Sequence, residues 1–122
     1  MDWDIFFADR LVELDEPNQS VIDTCKVLAE KFNIAIFSGR SQSTKMVTEE
    51  WLNKHKVPWH ILKMRPEKHP FKFMPDEKLK LQWLNEMDWK DDVVAVFDDR
   101  DKVVKMWRDN GLTCMQVAPG NF

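Results

Sequence analysis

The sequence predicts one α/β domain over residues 1–122, a Rossmann-like parallel sheet with flanking helices. Three observations carry this. Helical and strand patterns alternate along the chain without repeats or low-complexity linkers, which is the signature of a sheet covered by helices. Ile34-Ala35-Ile36-Phe37 and Val93-Val94-Ala95-Val96-Phe97 are short unbroken apolar runs rather than alternating ones, as expected when both faces of a sheet are buried. Finally, Val93-Val94-Ala95-Val96-Phe97 stops abruptly at Asp98-Asp99-Arg100. A buried strand ending in paired acids delivers charge to the sheet edge where α/β proteins build ligand sites.

Each element has its own signal. Pro17 suits a first helical turn, and Val21, Cys25, Leu28 and Phe32 recur at three- and four-residue spacing, so a helix is expected over residues 17–32. Ile34-Ala35-Ile36-Phe37 reads as a buried strand, followed by a helix from Thr44 to His55 with Val47, Trp51 and Leu52 turned inward. Trp59 to Met64 suggests a further strand, and residues 65–74 a loop rich in Lys, His, Phe and Pro. Pro75-Asp76-Glu77 opens a helix carrying Leu79, Trp83, Leu84 and Met87. After the strand Val93 to Phe97, a helix with Val103, Val104 and Trp107 ends near Gly111, and Thr113 to Val117 forms a last short strand. The first dozen residues fit two patterns. Asp4-Ile5-Phe6-Phe7-Ala8 could form a strand, but Trp3, Phe6, Phe7 and Leu11 share one helical face, and a helix is the expectation.

Composition narrows the function. With 43% apolar residues, 8 Phe and 6 Trp, the chain has material for a core without disulfides or structural metal. Cys25 and Cys114 are isolated, which argues against a zinc site and for buried, reduced thiols. No apolar run has membrane-spanning length and Met1-Asp2-Trp3-Asp4 lacks the features of a signal peptide, so no membrane is involved and a cytoplasmic location is expected. A net charge of −3 excludes a strong, indiscriminate nucleic-acid binder. Between Asn53 and Pro75, however, six Lys and Arg and all three His face a single acid, Glu67, so a local basic surface is expected there.

A second segment repeats the motif of a strand ending in polar groups, and a helix adds a lysine. Ser38-Gly39-Arg40 sets a hydroxyl, a flexible backbone position and a guanidinium at a strand end, a combination suited to gripping phosphate. Lys80, on the helix opened by Pro75, can neutralise a phosphate or hold a carboxylate. Taken singly, these are a turn, a surface lysine and a helix cap.

In this order, Ser38-Gly39-Arg40, the run Pro75 to Leu84 around Lys80, and Val96-Phe97-Asp98-Asp99-Arg100 continuing to Ala118 resemble the haloacid-dehalogenase-like (HAD) phosphohydrolases. The similarity is greatest to the phosphatase domain of phage-type polynucleotide kinases. The resemblance implies a Mg²⁺-dependent phosphomonoesterase acting on a nucleic-acid 3′ end. In such enzymes one aspartate attacks phosphorus to form an acyl-phosphate, and a second, two residues later, protonates the leaving oxygen. It also implies that Ser38, Gly39, Arg40 and Arg65 contact phosphate or substrate, that Lys80 and Asp98 act in catalysis, and that Asp98 with Asp99 holds Mg²⁺.

The family begins with an apolar strand ending in Asp-x-Asp and a glycine turn. Asp2-Trp3-Asp4 has the paired acids with only Met1 before them, and Ile5-Phe6-Phe7 in place of the turn. The expectation is therefore a fold lacking its central nucleophile strand and an enzyme impaired in turnover, with Mg²⁺ bound weakly or not at all. The gap would be closed by direct pairing of its neighbours, by a second copy, or by a strand-donating partner. The alternative is a non-catalytic descendant that binds nucleic acid or a protein; a receiver-like phosphotransfer domain is disfavoured by the motif order.

Overall fold

A computed structural model describes the backbone of residues 5–8 and all of residues 18–122. Five strands, β1 (Ile5–Ala8), β2 (Asn33–Ser41), β3 (Ile61–Arg65), β4 (Val93–Asp98) and β5 (Cys114–Gln116), form one sheet in the order β3-β2-β1-β4-β5. Every pairing is parallel. Four helices, α1 (Gln19–Leu28), α2 (Lys45–Lys54), α3 (Asp76–Glu86) and α4 (Asp101–Asp109), complete the Rossmann-like architecture.

The largest departure from expectation lies at the start of the chain. Ile5–Ala8 is a strand, not a helix, and it occupies the centre of the sheet. Phe6 pairs with Ile34 on one side and Ala95 on the other, and Ala8 pairs with Phe97. The slot between β2 and β4 is therefore filled by this chain itself. Neither direct pairing of β2 with β4 nor a donated strand is needed. Helical spacing misled because Ile5-Phe6-Phe7-Ala8 is apolar at every position, so its residues also satisfy a helical stripe. What decides is pairing: only an extended segment can satisfy the donors and acceptors of two flanking parallel strands. Trp3 and Leu11, the other members of that expected helical face, lie outside the described residues.

Helices cover both faces. Along β2, Ile34 and Ile36 point to a core shared with Val21, Ile22 and Cys25 of α1 and Leu52 of α2. Ala35 and Phe37 point the other way, to Leu79, Trp83 and Leu84 of α3 and Val103, Val104 and Trp107 of α4. This is the period-two alternation of a strand converted into two cores. Phe37 is the hub of the second. Its ring lies 5.4 Å from Trp83 edge-on, 6.4 Å from Trp89 and 6.5 Å from Trp107.

Other boundaries follow local chemistry. Asn18 caps α1 by accepting from Val21 N, while Gly111, at φ 82°, supplies the left-handed turn beyond α4. One expected core residue is misplaced: Val47 is exposed, as is Met46, and Thr48 with Leu52 takes the inward face of α2. Cys25 and Cys114 are free and buried. Burial pushes their thiols up to about 12 and about 11, so both stay protonated at neutral pH. No described helix is long and apolar enough to cross a membrane.

The central place of β1 can be tested directly. Phe7→Pro removes an N–H inside a strand paired on both sides. We expect loss of the cooperative unfolding transition and of dispersed amide resonances; a folded variant would show that β2 and β4 do not depend on this strand.

Candidate active site

The C-terminal ends of β2 and β4 bring the polar groups together on either side of β1. Asp98 is the last residue of β4 and is buried. Its Oδ1 accepts from Asp99 N at 2.8 Å and Arg100 N at 3.4 Å, and its Oδ2 accepts from Trp107 Nε1 at 3.2 Å. Lys80 Nζ, also buried, lies 3.8 Å from the same Oδ2. The carboxylate thus ties the strand end to α3 through Lys80 and to α4 through Trp107. Burial pulls the Lys80 ammonium below the ordinary lysine range, and Arg100 adds to this, while Asp98 pulls in the opposite direction. Lys80 therefore releases its proton at a lower pH than an exposed lysine does.

Ser38 is fully buried in β2, and its Oγ accepts from Arg40 N at 3.2 Å, where the pairing with β3 shifts register between Ser38 and Ser41. Arg40 is exposed. Gly39 is required by space: a Cβ there would stand 2.6 Å from Asp76 Oδ1. Asp76 cannot easily yield, because its carboxylate is held by Arg65 through one oxygen and by Arg100, at 2.8 Å, through the other.

Arg65 has a different part from the expected substrate contact. Nε donates to Gly39 O at 2.9 Å, Nη1 to Phe71 O and Met74 O at 2.7 and 2.6 Å, and Nη2 to Asp76. Four of its N–H groups thus hold the irregular stretch of β2 at Gly39, the loop after β3 and the start of α3 in register. Asp76, Arg100 and Trp107 are the site residues that sequence reasoning missed. Asp76 reads as a helix opener and Trp107 as a core position, and only the fold shows that each also holds a site group. The expected basic surface is also partly committed: His60 Nδ1 accepts from Ile34 N at 2.8 Å, and the His55 ring packs 4.4 Å from Trp51.

Asp99, buried beside Asp98, offers a second carboxylate. These are the hard oxygen donors Mg²⁺ prefers, but no cluster of three metal-binding side chains exists among the described residues. With both Asp98 oxygens engaged by internal donors, the pair fits half of a metal site. Asp2 and Asp4 lie outside the described residues.

The Lys80–Asp98 pair yields a stability prediction. Lys80→Met leaves a buried carboxylate without its cation and should lower stability by about 3 kcal/mol. Adding Asp98→Asn should restore much of that loss, because the charge no longer needs compensation. Denaturant unfolding of the two single variants and the double variant measures this; additive losses would show that the pair is not coupled.

Comparison with known proteins places this geometry. Residues 5–122 match the family model for the polynucleotide kinase PNKP phosphatase domain of the HAD type. The chain is 38% identical over 105 residues to a protein of Autographa californica nuclear polyhedrosis virus named "Putative bifunctional polynucleotide kinase/RNA ligase". That alignment covers 83% of this chain and 15% of the viral protein. Solved structures described as a Pnkp1/Rnl/Hen1 complex and as the Pnkp1/Rnl/Hen1 RNA repair complex superpose with TM-scores of 0.83 and 0.84, each at 27% identity. They cover 97% of this chain but 46% and 42% of those chains, so the chain spans less than half the length of its relatives. The matched span runs from β1 through the Ser38 turn, Lys80 and Asp98-Asp99, and the chain belongs to the family of HAD-type PNKP phosphatase domains.

Proposed function

We propose that this phosphatase-like module binds the 3′-phosphorylated end of a nucleic acid and hydrolyses it slowly, because its acid–base group is missing. The observation that carries this reading is the placing of buried Ser38 on β2 and the buried Lys80–Asp98 pair with Asp99 at the end of β4, on either side of β1. Buried hydroxyl and ammonium groups suit a phosphoryl group, whose charge they would offset in a water-poor site.

The impairment has a different origin from the one expected. The strand is present; the motif after it is altered. Directly after Ala8 the sequence runs Asp9-Arg10-Leu11, all three outside the described residues, and we read Asp9 as the first acid of the family pattern Asp-x-Asp-Gly. On this reading Asp9 is the nucleophile. Its carboxylate attacks phosphorus, the P–O bond to the 3′ oxygen breaks, and water later cleaves the acyl-phosphate to release inorganic phosphate. Leu11 occupies the position of the second aspartate and has no proton to give the leaving oxygen.

Lys80 would draw charge from the phosphoryl oxygens, and Asp98 would keep Lys80 in place. Asp99 would be the protein's carboxylate ligand for Mg²⁺, with Asp98 anchoring it through the backbone N–H of Asp99. Bound Mg²⁺ would neutralise phosphate charge and fix the group for in-line displacement.

A binding module without turnover is the second reading, and Leu11 is the residue that favours it. The complexes in which the structural neighbours were solved support a protein partner for this domain in either case.

The test is phosphate release from a 3′-phosphorylated oligonucleotide with Mg²⁺. General acid catalysis contributes about 10²–10⁴-fold, so Leu11→Asp should raise a slow rate by roughly 10²-fold. Asp9→Asn and Asp99→Asn should abolish it. Rapid Mg²⁺-dependent release by the unaltered chain, lost in Asp98→Asn, would overturn the impairment. A second measurement follows the alkaline limb of the pH–rate profile, which should bend below the pKa of an ordinary lysine as Lys80 loses its proton.

A further inference from the structure

Phe73 is the most exposed large apolar side chain among the described residues, at 85% of its free surface. It does not sit on a loose loop. It belongs to a single 3₁₀ turn, Phe71–Phe73, whose flanking carbonyls at Phe71 and Met74 both accept from Arg65. Phe71 and Met74 pack against the α3–α4 core, and Ser41 Oγ donates to Glu67 at 2.6 Å, so the segment is fastened on both sides. An anchored turn presents an aromatic face to solvent.

That face lines a cleft of about 460 Å³ together with Arg65, Lys72, Asp76, Glu77, Arg100 and Lys102. Four cations meet two carboxylates there, and Asp76 is already claimed by two arginines. Lys72 Nζ lies 5.6 Å from the Phe73 ring centre, so a cation adjoins the aromatic face. The cleft also reaches the catalytic edge: Arg100 follows Asp99 in the chain, and Asp76 abuts Gly39.

We propose that Phe73 is a stacking platform for a nucleobase near the 3′ end, with Lys72 and Lys102 contacting the neighbouring phosphates. This rests on the reading of the site as one that takes a nucleic-acid 3′ phosphate, and names what holds the strand outside it. An aromatic ring beside exposed cations suits single-stranded nucleic acid, because every base offers a π-face and every linkage a charge. The platform is therefore indifferent to base sequence and requires a base.

The experiment measures binding by fluorescence anisotropy of a labelled single-stranded oligonucleotide bearing a 3′ phosphate, alongside a matched one whose last three nucleosides are abasic. Phe73→Ala should weaken binding of the first about tenfold and leave the second unchanged. Phe73→Trp should retain or exceed the original affinity, and Lys72→Ala should flatten the salt dependence on both. Equal loss on the two oligonucleotides, or none, overturns the platform. Base-dependent binding through Phe73 without any phosphate release would uphold it and sink the hydrolytic reading; release unaffected by Phe73→Ala would do the reverse.

Discussion

The buried Asp98 carboxylate is the interaction on which this domain turns. A charge removed from water must find partners, and its donors come from three elements: the backbone of its own strand end, Trp107 of α4 and Lys80 of α3. Satisfying one carboxylate therefore fixes two helices against the end of β4. Trp107 joins this polar anchor to the apolar core, because its indole N–H donates to Asp98 while its ring stands 6.5 Å from Phe37. Packing and site geometry are in this way one constraint.

A second, shallower network supports the other side. Asp76 draws Arg65 and Arg100 together, and Arg65 carries that order to the Ser38-Gly39-Arg40 segment of β2 and the loop bearing Phe73. The arginine fork explains why a single residue can register three segments, where a lysine would make one point contact. Arg100 reaches further, donating through Nε to Phe122 O and lying 5.5 Å from the Phe122 ring, so the last residue is drawn to the same edge. Gly120 packs on the Asp99 carbonyl with no room for a side chain.

Much of this was legible in the sequence. The four helices and β2 to β5 fall close to the expected positions, since their apolar spacing, Pro75 and Gly111 are local signals. Ser38, Lys80, Asp98 and Asp99 were singled out by residue type and order, and the fold brings them to one edge. Less legible were residues with two uses. Arg65 had the character of a phosphate ligand and spends its donors inside the protein; Val47 had the spacing of a core residue and is exposed.

The sequence alone determined the α/β class, the helix and strand rhythm after residue 18, and which polar residues end the strands, because these follow from periodicity and residue chemistry. Only tertiary structure decided the state of Ile5–Ala8 and the partners of Asp98. A four-residue apolar segment carries no period that separates helix from strand. Its conformation is settled by the unpaired edges of β2 and β4, which lie far away in sequence and adjacent in space.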